Sequence, residues 1–135
     1  MKYAQHESEH EVVLAPDATP VGTVIVLHGL GADGWDFVPV VNELRLPAAL
    51  PLRFVFPHAP VRPVTVNNGY EMRAWYDIRD FSITGREDLE GITAASDRLQ
   101  RYVEREREHG LEPGAVALAG FSQGGAVALH AGLRS

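Results

Sequence analysis

The chain has 135 residues, a formal net charge of −6 at pH 7 and no cysteine; 45% of its residues are hydrophobic and 22% are charged. This length and composition suit one soluble globular domain over residues 1–135, and the lack of cysteine excludes disulfides and a cysteine nucleophile. The negative charge argues against a nucleic-acid partner, which would need a basic face.

The amino-terminal half begins with polar residues. Residues 1–9 lack the apolar segment of a secretory signal, and no run of about 18 apolar residues occurs in the sequence. We therefore expect a cytoplasmic protein without stable membrane insertion. After this polar start, the hydrophobic pattern predicts strands over residues 11–14, 23–27 and 52–56, a glycine-rich loop over 29–34 and a helix over 35–46.

The carboxyl-terminal half continues the alternation of strands and helices. We expect an irregular loop over 61–72, a short extended piece at 74–76, a helix over 87–109 that follows a capping box at 84–87, a buried strand over 115–119, a sharp turn over 120–125 and a helix over 126–133. This order predicts the α/β class, with a mainly parallel sheet and ligands bound beyond the carboxyl ends of its strands.

A G-x-S-x-G pattern at residues 120–124 joins a predicted strand directly to a predicted helix. A nucleophilic serine needs such a tight turn, because its hydroxyl must stand clear of the sheet. Ser122 is therefore our candidate nucleophile, and the backbone N–H of Gln123 is one candidate oxyanion donor. The glycine-rich loop after residues 23–27 supplies the second, the backbone N–H of Leu30, while His28 is expected to order this loop.

These motifs occur together in one order: residues 24–34, 57–60, 67–77 and 120–126. In that order the chain resembles the phospholipase/carboxylesterase family, which includes acyl-protein thioesterases, and residues 73–77 resemble its bacterial carboxylesterase branch. The resemblance implies an α/β-hydrolase fold with helices on both faces of the sheet. It also implies a serine esterase that hydrolyses small carboxylic esters, thioesters or lysophospholipids through an acyl-enzyme, with no cofactor and no metal.

The substrate cleft and the remaining catalytic groups are less well defined by the sequence. The resemblance places residues 61–77 beside the cleft, and we expect Met72, Trp75 and Phe121 to line it, with a core role for each left open. The family's triad continues after the serine with an aspartate and a histidine, which we do not find in this chain. His130 is too far along its predicted helix, and His58 is expected to be structural.

Two hypotheses follow from the incomplete triad. The first is that the 135 residues are the amino-terminal part of a longer esterase, with the carboxyl-terminal strands missing and the serine-bearing strand at an open sheet edge. The alternative is a catalytically incomplete module that binds acyl ligands or a partner. A homodimer that covers the open edge is a further option.

Two other motifs are weaker indications of function. Residues 29–34 match the dinucleotide-binding pattern G-x-G-x-x-G, but no acidic residue occurs between Glu43 and Glu71 to hold a ribose. Residues 6–10 match the zinc-protease pattern H-E-x-x-H, which requires a helix with one apolar face and a third ligand. This pattern lies in a polar segment that runs into a predicted strand, so we interpret it as a solvated tail.

Overall fold

The computed structural model describes residues 2–78 and 88–134. Within these ranges the strands are β1 (Tyr3–Glu7), β2 (Glu11–Pro16), β3 (Gly22–Leu27), β4 (Leu52–Pro57), β5 (Val61–Val64), β6 (Tyr70–Arg73) and β7 (Val116–Gly120). The α-helices are α1 (Val38–Leu44), α2 (Leu89–Glu108) and α3 (Gln123–Arg134). Among the described helices, none has both the length and the hydropathy needed to cross a bilayer.

Five of these strands form one twisted sheet in the order β1-β2-β4-β3-β7. The β1–β2 and β2–β4 pairs are antiparallel, whereas β3 pairs in parallel with both β4 and β7. The α/β prediction is confirmed, and the described sheet is mixed where a mainly parallel one was expected, because two of its four strand pairs are antiparallel. Because β3, β4 and β7 run in the same direction, the loops that follow them meet at one edge of the sheet.

Helices cover both faces of this sheet, as the sequence predicts. Along β3, Ile25 and Leu27 pack with α2 and α3 on one face, while Val24 and Val26 pack with α1 on the other. A strand buried on both faces must be apolar at consecutive positions, which explains its β-branched run.

The first predicted helix is shorter than expected. Residues 35–37 form turns, and α1 starts only at Val38. Pro39 lies in its first turn, where the backbone N–H that proline lacks would make no hydrogen bond within the helix. The helix ends at Arg45, which adopts a left-handed conformation with φ 48°.

The prediction of an irregular loop over 61–72 is wrong. β5 and β6 form an antiparallel hairpin in which Val61 pairs with Arg73 and Val64 with Tyr70. Their connection over residues 65–69 contains one turn of 3-10 helix, Thr65–Asn67, and it closes at Asn68 and Gly69, which adopt positive φ values of 58° and 77°. The Asn-Gly pair, which the sequence analysis assigned to a loop, is the turn signal of this hairpin.

The long helix is confirmed as α2, although the capping box at 84–87 lies outside the described residues. Asp88 caps the described start of α2, because its side chain accepts a hydrogen bond from the Gly91 N–H at 2.9 Å. The predicted solvated end at 104–108 needs one correction. Glu106 is fully buried, where it accepts hydrogen bonds from the Thr23 hydroxyl at 2.8 Å and the Arg53 Nε at 2.9 Å.

The strand β7 is not a buried strand, because in the described part of the chain it pairs on one side only, with β3. Its residues are half-buried or exposed, in agreement with the expected open edge. The adjoining α3 leaves Leu129 and Leu133 65% and 79% exposed. The described fold thus has a closed core around β3 and an apolar face beside β7.

Candidate active site

Ser122 stands on the sharp turn between β7 and α3. It is exposed and has a φ of +55°, which is uncommon for any residue except glycine and costs about 1–3 kcal/mol. The turn is closed by two backbone hydrogen bonds, from the Gly124 N–H to the Phe121 carbonyl at 3.0 Å and from the Ala126 N–H to the Ser122 carbonyl at 3.1 Å. The strained backbone holds Ser122 at the edge of the sheet where the parallel strands β3, β4 and β7 end.

Glycine is required on both sides of this serine. A Cβ at Gly120 would overlap the backbone carbonyl of Gly124, and a Cβ at Gly124 would overlap the carbonyl oxygens of Leu27 and His28. α3 therefore starts in direct contact with the end of β3.

The side chain of Gln123 fastens this turn to the segment after β6. It is 4% exposed, accepts a hydrogen bond from the Trp75 N–H at 2.7 Å and donates one to the Tyr76 carbonyl at 2.7 Å. Its own backbone N–H has no acceptor within residues 2–78 and 88–134. Gln123 thus supplies a structural side chain and an unengaged backbone donor at the start of α3.

The glycine-rich loop after β3 lies against the serine turn. A Cβ on Gly29 would be 3.5 Å from the Ser122 Cβ and 3.2 Å from the Phe121 ring, so a side chain at position 29 would press against the serine turn. The next residue, Leu30, is half-buried, and its N–H also has no acceptor in the described part of the chain.

His28 orders this loop as a neutral side chain. Its Nδ1 lies 2.7 Å from the Gly29 carbonyl, to which it can only donate, and its Nε2 accepts a hydrogen bond from the Ala59 N–H at 3.0 Å. The ring is 1% exposed, and this burial lowers its pKa. With both ring nitrogens occupied, His28 is a structural residue, as expected.

His58 makes the reciprocal connection. Its Nδ1 accepts a hydrogen bond from the Gly34 N–H at 2.9 Å, so the histidine after β4 holds the loop after β3. Burial lowers its pKa, and the positive charge of Arg73 lowers it further. Each histidine thus accepts a backbone N–H from the other loop, His28 from the loop after β4 and His58 from the loop after β3.

Arg73 joins the end of the hairpin to both loops. Its Nη1 donates to the Ala59 carbonyl at 2.7 Å, and its own carbonyl accepts the Gly31 N–H at 2.9 Å. Gly31 needs its φ of +77° for this contact. The sequence analysis missed this role of Arg73, and only its place within the family-like segment 73–77 hinted at it.

The three residues expected to line a cleft differ in their positions. Phe121 is 60% exposed and meets Phe37 edge to face at 5.9 Å, and Met72 is half-buried with its sulfur near Gly31. The expected cleft position of Trp75 is corrected, because its side chain is only 2% exposed and its indole N–H donates to the His28 carbonyl at 2.9 Å. It belongs to the core beneath the site.

No histidine in the described ranges is hydrogen-bonded to the Ser122 hydroxyl. His130 lies eight residues further along α3, about 12 Å away at a rise of about 1.5 Å per residue. The zinc-protease pattern is not helical, since His6 and Glu7 belong to strand β1 and His10 lies in the turn after it.

A serine on a strained strand-to-helix turn, at the carboxyl edge of parallel strands and beside a glycine-rich loop, is characteristic of the α/β-hydrolase class. Within this class the chain belongs to the phospholipase/carboxylesterase family, whose model matches residues 8–135.

Individual relatives agree with this assignment. Acyl-protein thioesterase 1 of Schizosaccharomyces pombe is 39% identical over 127 residues, which cover 92% of this chain and 54% of that protein. Acyl-protein thioesterase 1 of Yarrowia lipolytica is 38% identical over 117 residues, covering 85% and 52%. The chain therefore spans about half the length of the curated relatives it matches.

Solved structures give the same result. The crystal structure of Arabidopsis thaliana SOBER1 is similar with a TM-score of 0.76 and 31% identity, over 82% of this chain and 53% of that one. Zea mays acyl-protein thioesterase 2 is similar with a TM-score of 0.74 and 31% identity, over 90% and 49%. A carboxylesterase from Mesorhizobium loti, at 18% identity and a TM-score of 0.62 over 97% and 57%, shares the fold.

Proposed function

We propose that this chain carries the nucleophile and the oxyanion hole of a cytoplasmic serine esterase. The observation that supports the proposal most strongly is the strained φ of +55° at the exposed Ser122, which lies between two glycines at which no side chain fits. Such strain persists where the surrounding structure enforces it, and it is concentrated at active sites.

In the proposed reaction, the Ser122 oxygen attacks the carbonyl carbon of the ester as a base removes the hydroxyl proton. The carbonyl oxygen becomes an oxyanion and accepts hydrogen bonds from the N–H groups of Leu30 and Gln123, which have no acceptor among the described residues. Collapse of the tetrahedral intermediate expels the alkoxide or thiolate, which takes the proton from the base. Water then hydrolyses the acyl-serine by the same steps.

The base is proposed to be a histidine, oriented by an aspartate, from outside these 135 residues. Within the described ranges, His28 uses both ring nitrogens and His58 is buried against the loop after β3. Neither is available to accept the proton of Ser122. A serine without its base is a poor nucleophile, although an oxyanion hole leaves residual catalysis.

The proposed substrates are carboxylic esters or thioesters with an apolar acyl group, including lysophospholipids. The names of the relatives from Schizosaccharomyces pombe and Zea mays support acyl thioesters. The exposed ring of Phe121, next to the serine, and the half-buried side chain of Met72 near the glycine-rich loop offer apolar surface to an acyl chain. No metal or cofactor takes part in the proposed reaction.

The proposal is tested on the protein that includes the proposed histidine and aspartate, by treating it with a fluorophosphonate and measuring its intact mass. We expect one covalent adduct that is absent in Ser122→Ala and retained in Ser8→Ala, which removes an exposed serine outside the site. Hydrolysis of a p-nitrophenyl ester should follow the same pattern. Equal labelling and equal rates for the native protein and Ser122→Ala would refute the nucleophile assignment.

The second candidate function is an acyl- or partner-binding module without catalysis. The observation that favours it is that Ser122 has no histidine partner within residues 2–78 and 88–134. Saturable binding of a fatty acid by a protein that forms no fluorophosphonate adduct would support it over the esterase.

A further inference from the structure

A hollow of about 310 Å³ lies between the start of β2 and the helix α2. A second hollow of about 480 Å³ adjoins it and shares His10 and Arg98. The arginines that line the two hollows are Arg73, Arg98, Arg101 and Arg105. The proposed esterase reaction uses the side chain of none of them.

This surface is positive on a negative protein. Among the described residues, the two hollows are lined by four arginines and by two acidic residues, Glu9 and Glu11, so these side chains carry a formal charge of +2 with the histidines neutral. The whole chain has a formal charge of −6. A concave positive surface with protein walls concentrates the field and attracts anions even when the net charge repels them.

The arginines of the first hollow are not equally available. Arg105 forms a bidentate ion pair with Glu11, at 2.6 and 2.7 Å, and its charge is thereby offset. Arg101 is exposed, and within the described ranges it has neither an ion pair nor a hydrogen bond. Arg98 donates one hydrogen bond to the described part of the chain, from Nη2 to the His58 carbonyl at 3.0 Å, and a guanidinium has five N–H donors.

Arg98 is also held in place before any ligand arrives. Its guanidinium lies 5.7 Å from the centre of the Trp75 ring and 6.0 Å from that of Tyr102. A guanidinium positioned by aromatic rings and a backbone carbonyl loses little side-chain entropy when it binds. Arg98, which these contacts hold in place, and the exposed Arg101 lie a single helical turn apart on α2.

We propose that this hollow is a binding site for a phosphate group, held by Arg98 and Arg101. The planar fork of a guanidinium matches two phosphate oxygens, and a dianion takes charge-assisted hydrogen bonds from both arginines. The phosphate belongs to a ligand that carries it as a monoester, either a soluble molecule or a lipid headgroup. The site does not depend on Ser122.

Inorganic phosphate is the probe, titrated by isothermal calorimetry at constant ionic strength with chloride as the replacement ion. We expect saturable binding that Arg101→Gln weakens about tenfold, the equivalent of one charge-assisted hydrogen bond. The matched control is Arg107→Gln, which removes the same charge from α2 outside the hollow, where Arg107 pairs with Glu104. Arg98→Lys keeps the charge but loses the fork, and should weaken binding several-fold.

Ser122→Ala should bind phosphate as the native protein does, so this test is independent of the esterase proposal. Non-saturable binding, or equal weakening by Arg101→Gln and Arg107→Gln, would show diffuse electrostatic attraction and overturn the site. Sedimentation with vesicles that contain phosphatidic acid separates the sources. Vesicle binding that phosphate displaces supports a lipid phosphate, and saturable phosphate binding without vesicle binding supports a soluble ligand.

Discussion

Ser122 lies between two regions that are built differently. On one side, the loops after β3, β4 and β6 are joined by buried hydrogen bonds through His28, His58 and Arg73. On the other side, β7 and α3 present an open apolar groove of about 530 Å³ with exposed leucines. The comparison teaches that the loops that carry the proposed oxyanion donors are held together by contacts within the described chain, whereas β7 and α3 leave apolar surface uncovered there.

The largest expected effect is at Gly124, where the start of α3 contacts the end of β3. Gly124→Ala should destabilise the protein by about 3 kcal/mol, because the new methyl group overlaps the carbonyls at the end of β3. Fluorophosphonate labelling of Ser122 should slow by about 100-fold, since small displacements of reacting groups have effects of that size. Urea unfolding and labelling kinetics measure the two effects.

The control is Gly132→Ala in the same helix, where an added Cβ meets no atom within 4 Å in the described structure. It should be neutral or stabilising by up to about 1 kcal/mol, because alanine favours helix. Equal effects of the two substitutions would mean that the serine turn is less tightly packed than the structure indicates.

The next effect concerns the connection through Gln123. Gln123→Ala removes the acceptor of the buried Trp75 N–H, which costs about 1–3 kcal/mol, and one hydrogen bond to the half-buried Tyr76 carbonyl, which costs about 1 kcal/mol. Urea unfolding should show a loss of about 2–4 kcal/mol, and the Trp75 amide should exchange its hydrogen faster. Gln100→Ala, which removes one half-buried hydrogen bond to Ala131, should cost only about 1 kcal/mol.

The third prediction concerns pH. The pKa values of His28 and His58 are lowered in the folded protein, so below about pH 6.5 the unfolded chain binds protons that the folded chain does not. Stability should therefore be fully present above that pH and fall as the pH drops through the folded-state values. Urea unfolding at a series of pH values measures this slope.

Two substitutions sharpen the pH test. His58→Asn keeps an acceptor close to the position of Nδ1 and does not titrate, so it should reduce the slope between pH 6.5 and 5. Ser8→Ala, at an exposed position between β1 and β2, removes no titrating group and should leave the slope unchanged. An unchanged slope in His58→Asn would refute the role of His58 as a buried neutral acceptor.

The smallest effect is expected on the open side. Leu133→Glu should change the unfolding free energy by less than about 0.5 kcal/mol, because the side chain is already 79% exposed. If the groove beside β7 is covered by a second copy, the same substitution should abolish the dimer in sedimentation equilibrium. Identical monomer masses for the native and variant proteins would exclude this homodimer.

Much of the fold was predictable because its signals are local in the sequence. The β-branched run of β3 and the helical spacing of α2 follow from burial on one or two faces. The hairpin β5–β6 was missed because its strands are only four residues long and β5 contains a proline, so the turn at Asn68 was the main signal. Glu106 was predicted to be solvated, because its buried partners are 53 and 83 residues away.

The sequence by itself determined the serine turn, since only glycine permits the close backbone approach at positions 120 and 124 and the pattern between a strand and a helix is visible in one dimension. It also determined that His28 has an ordering role. Only the tertiary structure decided that Trp75 is buried, that His58 and Arg73 hold the glycine-rich loop, and that arginines gather beside β2. These contacts join residues far apart in the chain, and a hydrogen bond depends on distances that only folding establishes.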